Sequence, residues 1–193
     1  MKKIALALFL LLGSIAPVAH AQMEYGIIGG INFAYFNKVP PLGDAVSSLG
    51  YMLGVRGSLG TNFFFEPAVE FASYGSTLQL DNGTDHKMRS NYIRVPLQVG
   101  LKVFEEAPVN VEVRAGLSES FLVSYTDEIT AGTGPAFTKN DINFARTAAI
   151  IGGGVRVLFL KFDLEYEWGL TDFFKSTGGT QFRALYLILG GNF

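Results

Sequence analysis

KFDLEYEWGL, residues 161–170, sorts its side chains strictly by parity: Lys161, Asp163, Glu165 and Glu167 take one set of alternate positions, and Phe162, Leu164, Tyr166, Trp168 and Leu170 the other. Successive side chains of a strand point to opposite faces, so the segment reads as a ribbon with one charged edge and one apolar edge. Two environments fit such a ribbon. In a soluble sandwich the apolar edge faces a protein core and the charged edge faces water. In a membrane barrel the apolar edge faces lipid and the charged edge faces a polar interior.

The N-terminal MKKIALALFLLLGSIAPVAHAQ opens with Lys2 and Lys3, continues with the apolar run 4–12, and ends in small residues with Ala19-His20-Ala21 as an A-x-A cleavage site. That is the pattern of a secretory signal peptide. Its apolar run falls short of the roughly 20 residues a spanning helix needs, and no later stretch approaches that length. Cleavage after Ala21 is expected to leave residues 22–193 as a single domain. Without Lys2 and Lys3 the chain carries 13 basic and 17 acidic residues, and this mild acidity argues against nucleic acid as a partner. There is no cysteine, so disulfides and thiol chemistry are excluded. Of the two histidines, His20 leaves with the signal, and His86 alone cannot build a histidine-rich metal site. No cofactor is expected.

Past the signal no helical period is sustained, whereas apolar residues recur at every second position in eight runs, approximately 24–36, 50–60, 63–77, 91–104, 109–124, 143–158, 159–170 and 182–193. In NYIRVPLQVGLKVF, residues Ile93, Val95, Leu97, Val99, Leu101 and Val103 alternate with Arg94, Pro96, Gln98, Gly100 and Lys102. PVNVEVRAGL alternates in the same way, until Glu119 falls on the apolar parity and predicts either a bulge or a strand that has left the apolar layer. The connections alternate between long, polar segments (NKVPPLGDAVSSL, LQLDNGTDHKMRS, TDEITAGTGPAFTKND, TDFFKSTGGTQ) and short turns near 60–62, 105–108 and 158. An up-and-down membrane barrel with short periplasmic turns and long external loops predicts that order, and a Greek-key sandwich does not. Several runs also exceed the five or six residues usual in soluble sheets. Tyr35, Tyr51, Phe63, Tyr74, Tyr92, Phe104, Trp168 and Phe193 lie near run ends, as aromatic girdles would. The expected fold is an all-β, eight-stranded, antiparallel transmembrane barrel.

Residues of inward parity then form a near-balanced set. Arg56, Arg94, Lys102, Arg114, Arg146, Arg156 and Lys161 face Glu66, Glu70, Glu112, Asp163, Glu165 and Glu167. An eight-stranded barrel is only wide enough to be filled by its own side chains, so these groups are expected to plug the lumen as an ion-pair network. The run Gly152-Gly153-Gly154 lacks the following helix that a phosphate-cradling loop needs.

Taken together, YGIIGGINFAYF, GYMLGVRGSLGTNFFFEPAVEFASYG, NYIRVPLQVGLKVF, VRAGLSESFLVSY, FDLEYEWGLTDFF and RALYLILGGNF resemble the small outer-membrane β-barrel domain proteins of Gram-negative bacteria, the porin family that includes PorT-like proteins. EPAVEFASYG, NYIRVPLQVGLK and YEWGLTD carry the resemblance most specifically. The terminal Phe193, with Leu185, Leu187 and Leu189 at alternate positions before it, resembles the signal by which such barrels are recognised for insertion. The resemblance implies a monomeric barrel in the cell outer membrane whose partners are lipid and, during insertion, the barrel-assembly machinery. It implies no catalytic residues.

Three functions follow as expectations. The first is a non-enzymatic barrel that supports membrane integrity or makes contacts through loop residues such as Asp81, Asn82, Asp85, Asp127, Glu128 and Asp141. The second is a small-solute pore, which the balanced charges of a narrow lumen oppose. The third is a lipid-modifying enzyme, for which His86, Ser90 and Asp85 are the only candidate base, nucleophile and orienter, placed in an exposed loop. A secreted sandwich is the soluble alternative, and it leaves the loop alternation and Phe193 without an explanation.

Overall fold

A computed structural model describes residues 23–37, 44–79, 85–132, 138–173, 175 and 181–193. The expected signal peptide, residues 1–21, and loop residues Asp81 and Asn82 lie outside them. The strands are β1 (Met23–Asn37), β2 (Asp44–Gly60), β3 (Phe63–Gln79), β4 (Asp85–Glu106), β5 (Val109–Ala131), β6 (Ala145–Val157), β7 (Leu160–Asp172) and β8 (Gln181–Asn192), with one 3-10 turn at Lys139–Asp141. Each strand pairs antiparallel with the next, and β8 returns to β1 along the register Gly26↔Asn192 to Asn37↔Gln181, which closes the barrel. Tyr25 and Phe193 clasp the seam by exchanging both backbone hydrogen bonds, at 3.2 and 2.8 Å. Closure leaves no sheet edge in the hydrocarbon layer, which lipid could not satisfy.

KFDLEYEWGL answers its own question in β7. Lys161 and Glu167 are 0% exposed, while Phe162 is 54% and Leu164 52% exposed. A soluble sheet would show the reverse order, so the apolar edge is the outer wall and the charged edge the interior. Tyr25 and Tyr35 mark the two ends of that wall on β1. About ten residues separate them, which at roughly 3.3 Å per residue and a tilt of about 40° climb about 25 Å, the height of an outer-membrane apolar band.

The short turns are shaped locally. Gly60 ends β2 at φ +130°, where any Cβ would meet the Phe63 carbonyl oxygen, so only glycine fits this corner. At the opposite end β4 and β5 run to 22 and 23 residues, far longer than their apolar runs, and stay paired above the band. Their register sets Lys87 opposite Glu128, an opposite-charge cross-strand pair that favours continued pairing in water.

Several sequence expectations are corrected here. Ser90 and His86 belong to β4, and Asp127 and Glu128 to β5, so none of them is in a loop. Asp85 opens β4, and Asp141 closes the 3-10 turn. Glu119 makes no bulge: it stays in register with Val95 and Thr147 and takes the outward parity of Leu117 and Phe121, where the Thr147 hydroxyl donates to it at 2.8 Å. The bulges of the β4–β5 pair lie instead at Val103, Val123 and Thr130, each skipped by the opposing strand. Tyr74 and Tyr92 are not girdle residues but are buried inside the barrel. They share parity with Glu70 and Arg94, and pleat parity overrides nearness to a strand end.

Candidate functional site

The candidate site is the lumen, where inward positions of all eight strands converge. At the short-turn end Phe64 forms a floor. It is buried beside Gly100, whose missing side chain leaves room for its ring, and the Lys161 ammonium lies 5.9 Å from the ring centroid. Over it spreads a layer of ion pairs. Arg56 reaches Asp163 at 2.6 Å and Glu66 at 3.3 Å, Lys161 reaches Glu66 at 2.8 Å and also Glu112, and Arg114 bonds Glu112 at 2.8 Å and Asp163 at 2.9 Å. These groups come from β2, β3, β5 and β7, so a single layer ties both sides of the ring together. Charges taken out of water are tolerated only when paired and hydrogen-bonded in this way.

The middle layer is built on Arg94 of β4. Its Nη1 donates to Glu70 at 2.5 Å, its Nε to Glu167 at 2.7 Å, and its Nη2 to Glu165. Gln98 donates to the other Glu165 oxygen at 2.7 Å. Each of the three guanidinium nitrogens meets a different carboxylate, a planar spread of donors that the compact ammonium of a lysine could not reproduce.

Toward the long loops the interior turns aromatic. The Tyr186 hydroxyl donates to Glu167 at 2.9 Å and lies 2.7 Å from the Tyr74 hydroxyl. Arg146 sits inside a cage of rings, with its guanidinium carbon 3.8 Å from the centroid of Phe182, 4.4 Å from Tyr92, 5.3 Å from Tyr74 and 5.9 Å from Phe173, and with Glu167 at 3.6 Å. Cation–π attraction is strongest where water is excluded, and Arg146 is buried. Ile142 joins Phe173 at this end of the cluster, both buried. They are held by hydrogen bonds between the segments that carry them: Asn143 N–H to the Phe173 carbonyl at 2.9 Å, the Asn143 amide to the Asp172 carbonyl at 2.7 Å, and Lys175 N–H to the Asp141 carbonyl at 2.9 Å. The adjoining 3-10 turn is capped by Asp141, which accepts from the Thr138 backbone N–H and hydroxyl, both at 2.8 Å, and these bonds hold its exposed carboxyl below the ordinary aspartate range.

Of the inward residues named from the sequence, the structure brings together Arg56, Glu66, Glu70, Arg94, Glu112, Arg114, Lys161, Asp163, Glu165 and Glu167, with Arg146 in contact through Glu167. Arg156 stands apart at the short-turn rim, paired at 2.5 Å with Glu24, an inward residue that parity along β1 identifies and that was missing from the expected set. Lys102 does not join the network: it is partly exposed at the rim and pairs with Glu105 at 3.2 Å, because β4 leaves the lumen at the Val103 bulge. The aromatic layer of Tyr74, Tyr92, Phe173, Phe182 and Tyr186 was also missing, although Tyr186 lies on the edge opposite Leu185 and Leu187. The pair His86 and Ser90 cannot act as base and nucleophile. Four residues of extended strand separate them by about 13 Å, well beyond the reach of a hydrogen bond, and Ser90 is buried in the lumen. Among the described residues no cluster of His, Cys, Asp and Glu has the makings of a metal site.

Comparison with known proteins agrees with this architecture. The crystal structure of Ail, the attachment invasion locus protein of Yersinia pestis, superposes with a TM-score of 0.52 at 13% identity, over 89% of this chain and 99% of Ail. Neisserial surface protein A (NspA) gives a TM-score of 0.47 at 14% identity, over 90% of this chain and 99% of that one. No curated protein matches the sequence. The family model described as outer membrane protein beta-barrel domain matches residues 19–175, so the chain belongs to that family and resides in the outer membrane of a Gram-negative cell.

Proposed function

We propose that this protein is a closed, non-conducting and non-enzymatic outer-membrane barrel that serves membrane integrity and contacts made at its long-loop end. The observation that carries this reading is the series of buried inward side chains that runs from Phe64 through the ion pairs to Arg146, Ile142 and Phe173. Each layer joins strands from opposite sides of the ring, so opening a path would strand charges in a poorly solvated interior. Planar-bilayer recordings of the purified protein should show no stable conductance steps, and reproducible steps would overturn the closed-barrel reading in favour of a solute pore. Contacts outside the cell would run through the protruding β4 and β5, where Lys87, Arg89 and Glu128 are exposed.

The outward side chains of β8, Leu187 and Leu189, together with the terminal Phe193, are presented on the lipid face. We infer that this row and Leu185 form the insertion signal read by the barrel-assembly machinery, and that the folded product is a monomer. Phe193→Ala should slow insertion in cells while leaving the stability of the inserted barrel nearly unchanged; pulse-chase of the heat-modifiable form measures it, and an unchanged insertion rate would sink the assignment.

A further inference from the structure

We propose that the long-loop end of the wall formed by β7, β8 and β1 carries a binding site for a phosphate-bearing lipid headgroup, centred on Arg183. The register sets Arg183 of β8 directly between Tyr35 of β1 and Trp168 of β7. All three face outward, as does Tyr166 two residues down β7. The guanidinium carbon lies 4.9 Å from the Trp168 ring centroid, and the indole N–H is itself directed to Gln181 at 3.4 Å. A guanidinium anchored between the Trp168 ring and the Tyr35 hydroxyl keeps further N–H donors of its planar fork, the geometry that matches phosphate oxygens.

A second donor stands beside it. The hydroxyls of Tyr35 and Tyr166 lie 2.9 Å apart, and one proton serves the bond between them. The proton of the accepting hydroxyl is left for an acceptor outside the protein. On the same strands the outward neighbours Phe33, Leu164, Leu170 and Leu185 carry no charge, and one outward carboxylate, Asp172, stands opposite Gln181 one pleat from Arg183.

Lipid, rather than a free anion, follows from what lies beneath. From Tyr166 and Leu185 a shallow apolar trough of about 970 Å³ spreads across the outer faces of β1, β8, β7, β6 and β5, deepened where Gly29 of β1 and Gly153 of β6 present no side chain and lined further by Leu164 and Leu187. A donor cluster at the membrane surface joined to an apolar trough in the hydrocarbon layer matches a headgroup joined to an acyl chain. An interfacial arginine that merely snorkels would need neither the trough nor the tyrosine pair.

The mature barrel in an uncharged detergent, examined by native mass spectrometry, tests this with three probes: phosphatidic acid, diacylglycerol with the same acyl chains, and inorganic phosphate. The wild type should retain phosphatidic acid about tenfold or more over diacylglycerol, the factor expected for charge-assisted hydrogen bonds. Arg183→Gln should abolish that preference. Gly153→Leu, which fills the trough, should weaken both lipids and leave their ratio unchanged. Tyr166→Phe keeps the ring and should lower the preference, providing the test if Arg183→Gln fails to give the heat-modifiable form. A wild type without preference, or an Arg183→Gln barrel that keeps it, would overturn the site. Inorganic phosphate bound as tightly as phosphatidic acid would overturn the lipid assignment and leave a free-anion site.

Discussion

Replacing Arg94 by methionine tests the lumen most directly. The side chain is wholly buried, and all its donor nitrogens point at Glu70, Glu165 and Glu167, with contacts of 2.5 Å to Glu70 and 2.7 Å to Glu167. Methionine keeps an apolar stem as far as the position of the arginine Nε and removes the charge, the donors and the outer part of the guanidinium. Breaking one buried pair by removing a partner costs about 3–5 kcal/mol, and three carboxylates lose a charged donor together here, Glu165 keeping Gln98 and Glu167 keeping Tyr186 and Arg146, so the upper end, about 5 kcal/mol, is expected. That is a large part of the roughly 5–15 kcal/mol that holds a typical domain folded. Urea unfolding in phospholipid vesicles measures it, followed by Trp168, the single tryptophan, whose ring lies on the lipid face. Adding Glu70→Gln and Glu165→Gln to Arg94→Met should recover much of the loss, because the orphaned charges go with their partner. A cost below about 1 kcal/mol, the value of a solvated surface pair, would refute the reasoning, since it would mean that water rather than arginine neutralises the glutamates. The closed-lumen proposal would then fall as well.

Two further predictions concern the floor and the 3-10 turn. A Cβ at Gly100 would sit 2.3 Å from the Phe64 ring, so Gly100→Ala must displace that ring against Lys161 and its layer; a loss of about 1–3 kcal/mol is expected in the same unfolding assay, and an unchanged midpoint would show that the floor is loosely packed. The Asp141 carboxyl is held below its ordinary value by Thr138, so the cap is fully present above the unfolded-state value of 3.8 and is lost as the pH falls through the lower folded-state value. The Thr138 amide resonance should therefore shift on acidification below about pH 4, and the shift should vanish in Asp141→Asn while the barrel strands stay unperturbed.

Much of this protein is legible without coordinates because a strand's period of two is local. KFDLEYEWGL shows its two faces in ten residues, and the same parity gives the eight runs, the long and short connections, and the inward placement of Arg56, Glu66, Arg94 and Arg114. Nearness to a strand end is the weaker cue: Tyr74 and Tyr92 lie near run ends yet take the inward parity and are buried, and Glu24 at the start of a run is inward by the same parity. Partnership was not legible at all. Arg94 meets Glu70, Glu165 and Glu167 across 24, 71 and 73 residues of chain, and which carboxylates share its level depends on the stagger between strands, a property of the closed ring rather than of any segment. The exit of Lys102 to the rim depends on a bulge, and the continuation of β4 and β5 above the band depends on their pairing with each other. Local alternation thus determined what faces inward, and only ring closure decided which inward groups meet, because neighbours across a barrel are set by register and tilt, neither of which is written in one strand.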